Sequence, residues 1–289
     1  MAALVLPAAL LVLALLVAPM AMLFRISLNQ YSPTQLMIEA LSPENYLRAL
    51  ADPYYREVLA TTMGVALSCT VIALLLGFPA AYWLARMESR WKSLAVILTL
   101  FPLLVGNVVR AAGWMALLGR DGAINASLMG LGLIGEPLTL LYTRGAVILG
   151  IVAVVAPYMI LTLASVIEAI PRQVEEAAAN LGAGPLTGFR RVVLPLALPG
   201  VAAGSVLVFI LCMNAYATPV LLGGPQFKMM APAVYDQFVK GTNWPFGAAL
   251  AFVLLVVTLT LTVAGSAVLA SFAKLLPAEP ATVQTAPPQ

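Results

Sequence analysis

The sequence contains no histidine, so the commonest general base and metal ligand is missing, and neither a histidine-based triad nor a zinc site is expected. Its two cysteines, Cys69 and Cys212, show neither a metal-binding spacing nor a disulfide framework, and packing is their expected role. Asp52, Asp121 and Asp236 all fall outside the long apolar runs, so the paired intramembrane acids of aspartyl chemistry are missing; no G-x-S-x-G or G-x-x-x-x-G-K occurs either. The chain is expected to cleave nothing and to hydrolyse no ATP itself. One charge does lie within an apolar run: Arg110, in "LLVGNVVRAAGWMALLG". It reads as an anchor or packing residue that snorkels to the interface, with a place in a solute path as the alternative. A proton- or sodium-driven carrier usually keeps an ionisable group at mid-membrane, and no carboxylate stands there, so any transport draws its energy from outside the chain.

The elements that carry these residues are set by composition. Of 289 residues 62% are hydrophobic and only 9% charged, with a mean hydropathy of +0.99. That is too little charge to clothe a soluble core, so lipid is the expected surroundings. Six apolar segments, 3–24, 58–85, 93–119, 144–167, 197–222 and 247–272, are each long enough for a hydrocarbon core of ~30 Å. The fold class is therefore an all-α membrane protein of six transmembrane helices, forming a single domain over 1–272 with a disordered tail over 273–289. The first segment is read as an uncleaved helix, because its run to Arg25 exceeds a signal-peptide core of about 7–15 residues. Pro19, Pro79, Pro102, Pro157 and Pro219 sit inside these runs, where each tends to kink a helix.

Between the fourth and fifth segments lies a polar stretch, 168–196, containing "EEAAANLGAGPLTGFRRVVLPLALPG". Glu175 and Glu176 near the start of an alanine-rich run favour a short helix through its dipole. Gly182 and Gly184 then stop it, and Pro185 suits the first turn of a second helix. That second piece sets Leu186, Phe189 and Val193 on one face, to lie along the membrane with Arg190 and Arg191 in water. The resulting helix, corner and helix would suit docking into a groove on another protein, or would be an ordinary interfacial loop. Lys and Arg counts leave the orientation of the chain open, although Arg86, Arg90 and Lys92 crowd one short turn on the side that holds the termini.

The stretch resembles the EAA loop of binding-protein-dependent ABC importer permeases: Glu-Ala-Ala, three residues, Gly, nine residues, Ile or Val, any residue, Leu-Pro. Glu176, Ala177, Ala178, Gly182, Val192, Leu194 and Pro195 match it without a gap. The resemblance implies a cytoplasmic coupling loop held by an ATP-hydrolysing subunit, a multi-pass chain in a bacterial inner membrane, and both termini in the cytoplasm. It also implies the partners: two ATP-binding cassette subunits, a second permease that is a copy or a different chain, and an extracytoplasmic substrate-binding protein. ATP and magnesium then belong to the partner ATPase; this chain needs no cofactor, no metal and no nucleic acid.

The phrases "GRDGAIN", "GEPLTLLYT", "AYATPVLLGGP" and "NWPFGAAL" are similar to outer connections of spermidine and putrescine permeases, which implies polyamine uptake. Related permeases for opines, aminophosphonates or ferric iron share such phrases, and "MNAYATPVLLGG" departs from the Gly-Asp-Tyr or Gly-Ala-Tyr of polyamine members. A membrane scaffold that only binds partners is the alternative of another class. With no acid in the spans, a cation would pass aromatic faces and neutral oxygens at ~0.5–2 kcal/mol per cation–π contact. Asn214, Tyr216, Thr218 and Trp114 are the candidates for that path, with Asn214 and Tyr216 beside Pro219 as the gate, and Tyr82 and Trp83 as further aromatics.

Overall fold

The structure, a computed structural model, describes residues 2–274, with side chains described for 11–268. Of the expected disordered tail, 273–289, Ala273 and Lys274 end the last helix and the rest lies outside the described residues. Helix α1 (Ala2–Ser27) is followed by a short antiparallel hairpin, β1 (Gln30–Ser32) and β2 (Leu36–Ile38), then α2 (Glu44–Ala51) and α3 (Pro53–Arg86). Next come α4 (Lys92–Leu104), α5 (Asn107–Leu118), α6 (Ala123–Gly130) and α7 (Arg144–Glu168). The polar stretch forms α8 (Arg172–Asn180), α9 (Pro185–Gly188), a π-helical turn (Phe189–Val193) and α10 (Leu194–Leu196). The chain continues through α11 (Leu198–Met213), α12 (Ala217–Leu222), α13 (Met230–Val239) and α14 (Trp244–Lys274). Among the described residues the all-α expectation thus holds but for six strand residues in the 25–57 connection. There Asn45 donates to the Ser27 and Asn29 carbonyls at 2.9 and 2.8 Å and anchors the hairpin.

Helices α3, α7 and α11 pack together as the centre of the bundle. Small side chains permit it: Ala66, Cys69, Ala73 and Ala81 of α3 are fully buried, and so is Cys212 of α11. In lipid, where apolar side chains gain little by leaving solvent, close backbone approach supplies much of the packing energy. At Gly200 a Cβ would meet Val166 Cβ at 2.9 Å, so α11 can lie this close to α7 only without a side chain there. Helix α14 closes the bundle against α11, α13 and α1.

Among the described residues, α3, α7 and α14 are each long and apolar enough to cross a membrane alone. The expected 93–119 span is not one helix: α4 and the α5–α6 segment are bent by 94° about Val105–Gly106. The expected 197–222 span is likewise divided, into α11 and α12, at Asn214–Tyr216. Proline explains half of the pattern. Pro102 lies one turn before the first break and Pro219 one turn after the second, each removing a backbone donor nearby. Pro79 and Pro157 lie inside unbroken α3 and α7: Pro157 is buried, whereas Pro79 is exposed and α3 is held on either side of it by buried Gly77, Phe78 and Ala81.

Candidate functional site

The protrusion over 168–196 is built by local rules. Helix α8 ends with Ala183 N donating to Ala178 O at 3.0 Å and Gly182 N to Ala179 O at 2.9 Å, the two bonds of a Schellman cap. Gly182 holds φ +85°, a left-handed conformation that costs other residues ~1–2 kcal/mol. Pro185 opens α9 as expected. The second piece then differs from the expected α-helix. Pro195 has no N–H to continue the ladder, and Leu194 N instead reaches Phe189 O, five residues back, in the π-helical turn. Across this turn Val193 is buried and Phe189 packs edge-on against Phe78 and Tyr82, with ring centroids 5.3 and 5.8 Å apart, as their shared face predicts. Leu186 does not join them and is 77% exposed. With Leu181, 89% exposed, it forms an apolar tip beside the exposed Glu176 and Ala177, with Ala178 half-buried. Pro195, also half-buried, stands at the root.

The root of the protrusion is held by charges that spacing alone did not single out. Glu175 turns into the bundle, accepting from Arg86 Nη2 and, at 2.7 Å, from the Tyr82 hydroxyl. Arg86 Nη1 also donates to Ile170 O at 3.1 Å. In return Arg172 Nη2 donates to Arg86 O at 2.7 Å, and its Nη1 lies 2.6 Å from Glu88. Lys92, at the start of α4, pairs with Glu168 at the end of α7 at 2.6 Å. The sequence signal was present in the basic turn Arg86–Lys92, but it was legible only as an orientation cue.

Elsewhere, the two helix breaks face one cavity of about 550 Å³. Its walls include Val105, Gly106, Asn107 and Arg110 from the first break, Asn214, Tyr216 and Thr218 from the second, and Tyr158 from α7. Three of the four expected path residues therefore meet; Trp114 is half-buried in packing and does not line this space. Tyr82 belongs to the protrusion's root instead, and Trp83 is 58% exposed on the outside of α3. Tyr158 was missed, although it is the sole aromatic in α7. Asn214 turns its amide nitrogen back to Ile210 O at 2.9 Å, which leaves its carbonyl oxygen as an acceptor.

Arg110 braces the bend. Its Nη2 donates to Val105 O at 2.7 Å and to Pro102 O, satisfying carbonyls at the end of α4 where the helix dipole favours a cation. Its Nε and Nη1 are buried without a hydrogen-bond partner among the described residues. Among the described residues no Asp or Glu lines the cavity. Nearby in α13, Tyr235 packs against Tyr216 with centroids 4.9 Å apart and ring planes inclined by 52°, while its neighbour Asp236 is held between Lys240 at 2.8 Å and Lys228 at 3.7 Å. The hydrogen bond to Asp236 raises the pKa of the Lys240 ammonium above its ordinary value.

Comparison with known proteins bears on both regions. The family model described as "Binding-protein-dependent transport system inner membrane component" matches residues 133–273, which include the protrusion. The chain is 36% identical to the spermidine/putrescine transport system permease protein PotB of Escherichia coli (strain K12), over 74% of this chain and 78% of that one. It is 34% identical to the inner membrane ABC transporter permease protein YdcU of the same organism, over 72% of this chain and 70% of that one. Its fold matches a chain of a bacterial ABC transporter involved in the import of the acidic polysaccharide alginate. The TM-score is 0.74 at 19% identity, covering 93% of this chain and 94% of that one.

Proposed function

The chain belongs to the family of binding-protein-dependent transport system inner membrane components, and from that premise we propose how its two regions divide the work of import. It is a multi-pass, non-catalytic permease subunit of an ABC importer. In our reading α1, α3, α4–α5, α7, α11–α12 and α14 make six crossings, with the protrusion and both termini on the cytoplasmic side of a bacterial inner membrane. The protrusion docks on one of two ATP-binding cassette subunits, which hold ATP and magnesium. A second permease completes the path, and an external binding protein delivers the cargo. The observation that carries this is the folded tip, where Glu176, Leu181 and Leu186 are exposed beyond a capped corner while the root is fastened to the bundle.

The test is ATP-driven uptake by the complete transporter in vesicles. Glu176→Lys is expected to leave the assembly inserted at equal abundance and to reduce uptake to background. Normal uptake by this variant would sink the docking role.

The cargo we propose is a polyamine, supported by the similarity to PotB. A diamine or triamine in the cavity would meet the Tyr158 and Tyr216 rings and the Asn214 carbonyl oxygen, at ~0.5–2 kcal/mol per cation–π contact. One observation favours a second reading: the unpaired Nε and Nη1 of Arg110, in a cavity with no acid, suit a cargo that also carries an acidic group, such as an opine or aminophosphonate. Equilibrium binding to the cognate binding protein separates the two. Submicromolar binding of spermidine or putrescine supports the first; binding of amino acids bearing a second acid group, with no polyamine binding, replaces it with the second.

A further inference from the structure

We infer that Arg86 and Glu175 form a latch that carries movement of the protrusion into α3, so that both are positioning residues for coupling. The inference rests on reading the protrusion as the element that docks on the ATPase.

The protrusion has two covalent connections to the bundle, and neither is a continuous helix. Helix α7 stops at Glu168, and Pro171, extended at φ −60° and ψ 133°, separates it from α8. At the other end, the segment Pro185–Leu196 meets α11 at a 66° bend. Two bent connections leave a lever free to pivot about the line joining them. A third attachment off that line removes the freedom, and the latch supplies it.

Adjacent acids take opposite roles here. Successive helical residues point about 100° apart, so when Glu176 faces outward Glu175 faces the bundle. Glu175 and Arg86 keep only 23% and 14% of their side-chain surface exposed. The bracing is reciprocal: Arg86 reaches across to the α7–α8 corner at Ile170 O, and Arg172 reaches back to Arg86 O at the carbonyl end of α3. Tyr82 adds its hydroxyl to the second Glu175 oxygen while its ring packs on Phe189, so one side chain of α3 touches both halves of the protrusion. Helix α3 is packed in turn against α7 and α11, and Lys92–Glu168 ties in α4, which ends at the bent wall of the cavity. Glu175 is the carboxylate paired with Arg86, so its removal leaves a half-buried guanidinium without a counter-charge.

The experiment measures labelled spermidine moved per ATP hydrolysed, in vesicles holding the complete transporter and its binding protein. Arg86→Gln and Glu175→Gln are each expected to lower that ratio by about fivefold or more while ATP hydrolysis continues and the ATPase still copurifies. Because the two act through one contact, the double variant is expected to be no worse than either single one. Arg86→Lys keeps the charge and restores part of the ratio. Tyr82→Phe removes one hydrogen bond, keeps the ring on Phe189, and is expected to lower the ratio about twofold. An unchanged ratio in Arg86→Gln, additive losses in the double variant, or loss of the copurifying ATPase would each overturn the latch. Glu176→Lys separates this idea from the one beneath it. If that variant transports normally, the docking role fails. If it is dead while Arg86→Gln keeps the wild-type ratio, only the latch fails.

Discussion

The protrusion and the cavity each depend on a glycine, yet for different reasons. At Gly182 the chain turns because of the residue itself: no added Cβ would meet a neighbour within 4 Å, and the left-handed φ alone demands glycine. At Gly150, behind the cavity wall, the backbone is ordinary helix and the constraint is a neighbour: a Cβ there would lie 2.5 Å from Leu222 Cδ1 and 2.7 Å from Thr218 Cγ2 of α12. The first feature is written in a few consecutive residues. The second exists only when segments some seventy positions apart meet.

That contrast is open to direct attack. The largest effect is expected at the corner, where Gly182→Val strains the cap by ~1–2 kcal/mol and misdirects the tip. ATP-driven uptake should fall to background while the thermal unfolding midpoint of the detergent-solubilised chain falls by only a few degrees, about 2–4 °C per kcal/mol of strain. Gly150→Val should do the reverse at first, losing ~1–3 kcal/mol of stability by overpacking α12, visible as a lower midpoint, with uptake falling as Thr218 is displaced. Arg110→Met removes the brace on the α4 carbonyls and should cost ~1.5–3 kcal/mol by the same thermal measurement, partly recovered by Arg110→Lys. The smallest effect is expected from Trp114→Phe, about 1 kcal/mol from lost packing and with uptake unchanged, since this half-buried residue packs outside the cavity. A large loss of uptake there would bring Trp114 back into the path and break the division drawn here.

The two regions also differ in how far they could be read in advance. Apolar length located all the long helices, since a helix buries its own backbone bonds and needs only enough apolar residues to stay in lipid. It did not reveal that 93–119 and 197–222 are each broken, because the residues at the breaks, Val105, Gly106 and Asn214–Tyr216, are no more polar than many that remain helical elsewhere. Proline was an ambiguous guide for the same reason: Pro102 and Pro219 border breaks, whereas Pro79 and Pro157 sit inside unbroken helices, one exposed and the other buried. Leu186 has the helical spacing that puts it with Phe189 and Val193, but it lies at the tip, before the π-helical turn, and stays exposed, because spacing does not say how far along that face the bundle reaches.

Arg110 shows the limit most clearly. Its position in an apolar run marked it as costly to bury and therefore worth explaining, and snorkelling was the simplest relief. The structure supplies another: carbonyls freed by the bend five and eight residues earlier accept its guanidinium. No spacing rule foretells a partner that exists only because the helix has broken.

By itself, then, the sequence determined the lipid-embedded helices, the glycine corner and the Glu-Ala-Ala spacing, all of which follow from chain length, backbone conformation and neighbours within a few residues. Only the tertiary structure decided which of two adjacent glutamates faces the bundle, that Arg86 and Tyr82 meet Glu175 from about ninety positions away, and that Asn214, Tyr216, Thr218 and Arg110 share one cavity. The physical reason is the same in each case. Charge pairing and cavity walls depend on distances between segments, and a one-dimensional pattern fixes the faces of a helix without fixing what those faces will meet.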